Sequence, residues 1–262
     1  MSKEMTAARL IVASRLANSP LSPIPEDSRP VTSDDGYSVQ ELAHGILADS
    51  SNQLRIGYKI GCTTTVMQKS LGINHPCAGS VSDTKVFCKH AELALKNFTQ
   101  VGVECEIGVV LARDLDPTDG PFDRGNIGNV ISAVMPAIEI VDNRYKGGTD
   151  IGVPTLIADD FFGAGAVLGS QTHDWTNIDL AGLMGRIIVD GEERDSGVGS
   201  AVMGNPLEAA VWLANLKAAR GEILKEGEFI LTGSLTLVQW IEGPCEVKAE
   251  INELGSIGVK FT

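Results

Sequence analysis

The sequence predicts an α+β fold, a helical N-terminal region followed by a β-rich domain. Two observations carry this. Two helix-like stretches and little strand pattern fill the first third of the chain. From about residue 80 the texture changes to short apolar, β-branched runs separated by Gly, Asp and Asn turns. Helices and strands are therefore segregated along the chain, the mark of α+β rather than of a doubly wound α/β fold.

The elements follow in order. MSKEMTAARLIVASRLANS is an amphipathic helix candidate, followed by a polar, proline-bearing connection, SPLSPIPEDSRPVTSDDG. A second helix is predicted from Ser38, because Ser38 and Glu41 have capping-box spacing. LRIGYKIG reads as a strand, and TTTVMQKSLG as a short helix ending at Gly72. VGVECEIGVVLA, AIEIVDNRY, AGAVLG, GRIIVDGEE, GEFILTGSLT, PCEVKAEIN and GSIGVKFT then supply strands, and NIGNVISAV is predicted as a helix between two of them. Another helix is predicted from Asn205 to about Arg220. Asn205 as N-cap, Pro206 at the first helical position and Glu208 at the third agree in register, and Gly221 stops it. The expected division is 1–75, helical, and 76–262, β-rich.

Composition narrows the function. The chain has 262 residues, 21 basic and 34 acidic, with a net charge of −13. No basic patch offsets that charge, which argues against nucleic acid or an anionic membrane as partner. The N-terminal stretch lacks the continuous apolar core of a signal peptide, and no apolar run reaches the length of a membrane helix. Five scattered cysteines without a C-x-x-C pair make a disulfide framework or zinc site a poor reading, and a reducing cytoplasm is expected. No phosphate-binding glycine loop is present, so nucleotide binding has no support.

Within VECEIGVVL, strand alternation puts Glu104 and Glu106 on one face and Val103, Cys105, Ile107 and Val109 on the other. Two carboxylates roughly 5–7 Å apart repel by about 2–3 kcal/mol at an effective dielectric of about 20. Either that face meets water or a cation compensates. Glu139, set among apolar residues in PAIEIVDNRY, is harder to read as solvated surface. Three carboxylates from two strands suit a hard divalent cation, Mg²⁺ or Mn²⁺, better than zinc, since no histidine accompanies them. Lys59, in the middle of IGYKIGCT, is either a snorkelling edge residue or a buried functional amine.

GYKIGCTTTVMQKSLGI, VECEIGVVLARDL, PAIEIVDNRY, IADDFFGAGAVLG, GSAVMGNPLEAAVWLANL and GEFILTGSLT occur in one order over roughly residues 55 to 262. Together they resemble the 2-keto-4-pentenoate hydratases and the related 4-oxalocrotonate decarboxylases of the fumarylacetoacetate hydrolase superfamily. The resemblance implies a mixed β-sandwich or β-roll around a divalent metal. It implies Glu104, Glu106 and Glu139 as metal ligands and Lys59 as the lysine near the substrate. It further places Asp83 near the reacting carbons as the candidate for activating water, and Ser234 and Thr236 in a substrate-contacting turn. The implied reaction is hydration of a small anionic 2-hydroxy-2,4-dienoate to a 4-hydroxy-2-oxo acid. Decarboxylation of an oxalocrotonate-type acid, or C–C hydrolysis of an acylpyruvate with His75 as the available histidine, are the alternatives. A non-catalytic scaffold with an acidic β face is the reading from another class; it predicts no metal binding. Relatives of this kind assemble, so a homo-oligomer is expected.

The sequence departs from the resembled pattern in two places. Hydratases commonly read Asp-Asn-Ala-Ser where this chain has Asp159, Asp160, Phe161 and Phe162, so Phe162 replaces a serine beside the substrate. Cys77 stands where relatives often have aspartate. Both changes lie near the expected substrate pocket and favour a substrate with a bulkier apolar end.

Overall fold

Helix α1 (Lys3–Leu16) starts at Ser2, whose hydroxyl accepts from the Met5 N–H at 3.3 Å, and buries Ala7, Ala8, Ile11 and Val12. Helix α2 (Ser33–Ser51) begins earlier than its sequence pattern suggested. The capping box is Thr32 with Asp35, not Ser38 with Glu41. Ser38 lies inside the helix and donates to the Asp34 carbonyl at 2.9 Å, while Glu41 pairs with Arg55 at 2.8 Å. The reason is local: Asp34 and Asp35 favour a helix N-terminus, and Gly36 is required by packing rather than by a turn. A Cβ at Gly36 would fall 2.6 Å from the Pro154 carbonyl oxygen.

The computed structural model describes residues 2–145 and 151–262. After α2 come β1 (Arg55–Gly61), α3 (Thr65–Ser70), β2 (Cys77–Ser82), β3 (Val86–Cys88), β4 (His90–Leu93), β5 (Val101–Leu111) and β6 (Ile131–Asp142). Then follow α4 (Val153–Ala158), β7 (Gly163–Leu168), β8 (Met184–Val189), β9 (Glu192–Val198) and α5 (Pro206–Ala219). The chain closes with β10 (Phe229–Ser234), β11 (Gln239–Trp240), β12 (Cys245–Ile251) and β13 (Gly255–Phe261). One sheet runs β2-β1-β10-β5-β6-β7-β3, with β11 added to β5; a second runs β4-β13-β12-β8-β9. Both are mixed: β1/β10, β3/β7 and β4/β13 are parallel, and the other pairs antiparallel. The fold is α+β, as expected.

The stretch NIGNVISAV is not a helix. Ile127–Val130 forms one short 3-10 turn, and the chain then enters β6 at Ile131. Its β-branched residues fill both faces of a central strand, where nearly every side chain is buried. The helix at Asn205 is as expected, with the Asn205 side chain accepting from the Leu207 N–H at 3.0 Å. β1 lies on the N-terminal side of residue 75 yet is an interior strand between β2 and β10. Helix α2 is bound to the same body: Gln40 Nε2 donates to the Ala78 carbonyl at 3.0 Å and to the Ile157 carbonyl at 2.6 Å. Among the described residues no helix is long and apolar enough to cross a membrane.

Candidate metal centre

Glu104 and Glu106 point to one side of β5, and antiparallel pairing sets Glu104 directly opposite Glu139 on β6. Glu106 and Glu139 are fully buried and Glu104 half-buried. One carboxylate oxygen from each of the three lies within 4.8 Å of the others. Glu106 Oε1 and Glu139 Oε2 have no hydrogen-bond partner among the described residues. Burial, followed by repulsion from Glu139, pushes the Glu104 carboxyl up to about 7. Burial and both neighbouring carboxylates push Glu106 well above the usual range. Three oxygen donors with unfilled acceptor positions and mutual repulsion fit a hard divalent cation.

Lys59 projects from β1 into the same space. Its ammonium lies 3.0 Å from Glu139 Oε1 and donates to the Phe161 carbonyl at 2.9 Å. Burial alone would favour the neutral amine, but the charges of Glu139, Glu104 and Glu106 outweigh it and hold the group above the ordinary lysine range. It is a buried cation, not a snorkelling edge residue. Ser234, at the end of β10, is the register partner of Glu106. The Gly233 N–H beside it donates to Glu106 Oε2 at 2.8 Å. Ser234 Oγ donates to the Thr236 carbonyl at 2.7 Å, and Thr236 Oγ1 accepts from the Cys105 N–H at 3.4 Å. The turn is thereby fixed against the carboxylate cluster.

Asp83 is not brought to this cluster. It is exposed in a 3-10 turn after β2, where its Oδ1 accepts from the N–H groups of Leu54 at 3.1 Å and Thr84 at 2.8 Å. Its carboxylate caps backbone, which is why an acidic residue follows this strand. Phe162 is half-buried with its ring edge-on to Tyr145 and to Phe161, centroids 5.1 and 5.6 Å apart. The ring nearer the ammonium is that of Phe161, with Lys59 Nζ 5.6 Å from its centroid. Cys77 is fully buried with its thiol against that of Cys62, and their shared hydrogen bond, then burial, push it up.

The sequence reading missed a second polar cluster beside this one. Asp159 and Asp160, both buried, are gripped by side chains from distant segments. Arg15 Nε lies 2.6 Å from Asp159 Oδ1 and Arg15 Nη1 2.8 Å from Asp160 Oδ2. His44 Nε2 is 2.8 Å from Asp160 Oδ2, and Arg144 pairs with Asp159. Two adjacent aspartates inside the apolar run IADDFFG were a visible signal. Two of their partners, Arg15 and His44, 144 and 116 positions away in sequence, were not.

Comparison with known proteins agrees with this geometry. The profile of the fumarylacetoacetate (FAA) hydrolase C-terminal family matches residues 75–262. A 2-keto-4-pentenoate hydratase of Paraburkholderia phymatum is 32% identical over 86% of this chain and 85% of its own. A 2-hydroxyhexa-2,4-dienoate hydratase of Comamonas testosteroni is 32% identical over 99% of this chain and 97% of its own. The structure of 4-oxalocrotonate decarboxylase from Pseudomonas putida G7, complexed with magnesium and adipate, superposes with a TM-score of 0.90 at 25% identity, covering 99% of this chain and 97% of that one. Sheet, carboxylate cluster and family profile agree: this chain belongs to the fumarylacetoacetate hydrolase family.

Proposed function

We propose that the chain is a divalent-metal-dependent hydro-lyase that adds water to a 2-hydroxy-2,4-dienoate, giving a 4-hydroxy-2-oxo acid. The observation that carries the reading is the convergence of Glu104, Glu106 and Glu139 on one space with the Lys59 ammonium beside them. Relatives named as hydratases at 32% identity over most of the chain support the reaction class. Glu104, Glu106 and Glu139 are assigned as the residues that hold the ion, and Mg²⁺ or Mn²⁺ as the ion. When bound, the cation supplies Lewis acidity toward the C1 carboxylate and 2-oxygen of the substrate.

The chain's own groups do the rest. Lys59, kept cationic by its carboxylate neighbours, attracts the anionic C1 end and is placed to move a proton as the dienol becomes the 2-oxo acid. Water then adds to the conjugated double bond. The Ser234–Thr236 turn, fixed by Gly233 to Glu106, offers polar groups at the substrate's edge. Phe161, whose ring centroid lies 5.6 Å from Lys59 Nζ, and Phe162 packed edge-on to it offer an apolar wall. The C–C hydrolase alternative relied on His75 to activate water over the metal. His75 is instead engaged with the Pro76 carbonyl at 2.7 Å and lies 3.4 Å from Ser33 Oγ. Five free thiols accord with the reducing cytoplasm assigned as the setting.

The test is the metal-dependent loss of dienoate ultraviolet absorbance, run over 2-hydroxy-dienoates, oxalocrotonate and acylpyruvates. Hydration of at least one dienoate, abolished by chelation and restored by Mg²⁺ or Mn²⁺, is expected. Metal-dependent CO₂ release from oxalocrotonate with no dienoate turnover would place the chain with the decarboxylases instead.

A further inference from the structure

Lys59 owes its position to a carbonyl on an unusual piece of backbone. Asp160, Phe161 and Phe162 all have left-handed conformations, with φ of 53°, 48° and 68°. Side chains other than glycine avoid this region, so three in succession persist only where the surroundings hold them. The Phe161 carbonyl in the middle of this turn receives the Lys59 ammonium at 2.9 Å.

What holds the turn is the Asp160 carboxylate. Oδ1 accepts from the Ser80 N–H at 2.8 Å, and Oδ2 meets His44 Nε2 and Arg15 Nη1, each at 2.8 Å. Arg15 spans both aspartates, reaching Asp159 with Nε at 2.6 Å. Beneath the turn, a Cβ at Gly79 would fall 2.5 Å from the Asp160 carbonyl oxygen, so the backbone is pressed onto β2. Arg15 belongs to the last turn of α1 and His44 to the middle of α2. Neither belongs to the carboxylate cluster, yet a cavity of about 400 Å³ is lined by Arg15, His44 and Ser80 together with Glu139 and Gly163. The N-terminal helices therefore reach the back of the site.

We propose that His44 and Arg15 are positioning residues for the reaction: through Asp160 they fix the left-handed turn whose Phe161 carbonyl seats the Lys59 ammonium beside Glu139. The carboxylate at position 160, where resembling hydratases commonly carry asparagine, is what gives the helices this grip. The inference rests on the role assigned to Lys59 under the proposed function.

The experiment compares His44→Leu with His44→Gln in the full-length, Mg²⁺-loaded protein. A glutamine amide restores an N–H donor near the place of Nε2; leucine cannot. Readouts are kcat and KM for a dienoate, Mg²⁺ affinity by calorimetry, and the rate of Lys59 acetylation by N-hydroxysuccinimidyl acetate, followed by peptide mass spectrometry. His44→Leu should lower kcat about tenfold or more, as a small misplacement of a reacting group does. Its Mg²⁺ affinity should stay near the parent value, and Lys59 should be acetylated several-fold faster, while His44→Gln behaves as the parent. Arg15→Gln should repeat the His44→Leu pattern, and serves alone if His44→Leu does not fold. A folded variant with parental kcat and a protected Lys59 would overturn the proposal. So would equal loss of kcat in His44→Leu and His44→Gln with Lys59 still protected. Faster acetylation with unchanged kcat would uphold the clamp but overturn the role of Lys59 in turnover.

Discussion

Glu104, Glu106 and Glu139 each make sense only in the presence of the others and of a positive charge. At about 5 Å and an effective dielectric of about 20, each ionised pair costs about 3 kcal/mol, and Lys59 offsets only part of that. Without a cation, protons take its place. Glu104 is pushed up to about 7 by burial and Glu139, against an ordinary glutamate value of 4.5. Between those two pH values the folded, metal-free protein holds a proton that the unfolded chain has already released. Stability of the metal-free protein should therefore be fully present below about 4.5 from this group and fall as pH rises toward 7. Saturating Mg²⁺ should remove that decline, because the ion replaces the proton. Thermal melts from pH 5 to 8 in chelator and in Mg²⁺ check this; a Tm that rises across the window in chelator contradicts it. The pairing of Glu104 with Glu106 was legible from alternation. The seat of Lys59 was not, since its acceptor, Phe161, lies 102 residues away.

At the scale of elements, α2 packs tightly enough on α4 that one residue decides the contact. Gly36 leaves no room for a side chain, with the Pro154 backbone oxygen 2.6 Å from the position of a Cβ. Gly36→Ala gains helix propensity of about 1 kcal/mol but must open a backbone contact, and overpacking of that kind costs about 1–3 kcal/mol. The net effect should be a lower Tm, with the dienoate kcat reduced as well, since α2 also carries His44. An unchanged or raised Tm would show that the helices give way freely. The same glycine explains a misreading: in sequence, TSDDG looks like the end of a loop, and only the neighbouring helix reveals why glycine sits inside one. The misread NIGNVISAV has the opposite cause. Its apolar spacing fits a helix locally, but β6 takes it because both faces of the central sheet must be filled.

The whole molecule places its candidate metal centre where the large sheet gathers strands from both ends of the chain. β1 from the N-terminal third and β10 from the C-terminal third lie side by side, so Lys59 and Ser234 reach the site of β5 and β6. Block order in the sequence displayed the family and most of these residues; strand order could not be read from it. Apolar side chains are left at one border of the second sheet. Met184 and Val198 are exposed register partners, and Leu237, 76% exposed, donates its N–H to Asp195 on β9 at 2.7 Å. Among the described residues β9 is also an edge strand, and proteins commonly cover such edges by association. A homo-oligomer is the expected outcome of light scattering at micromolar concentration, and a monomeric mass would count against it.

The central claim is that Glu104, Glu106 and Glu139 form a divalent metal centre, and calorimetric titration of Glu106→Gln tests it most directly. Glu106 is fully buried, accepts from the Gly233 N–H at 2.8 Å, and has a second oxygen without a hydrogen-bond partner among the described residues. A glutamine keeps the shape and can still accept that hydrogen bond, while removing the charge and one anionic ligand. Tight Mg²⁺ or Mn²⁺ binding should be lost with the circular dichroism spectrum unchanged. A folded Glu106→Gln protein that binds the ion with the parent's affinity would contradict the account.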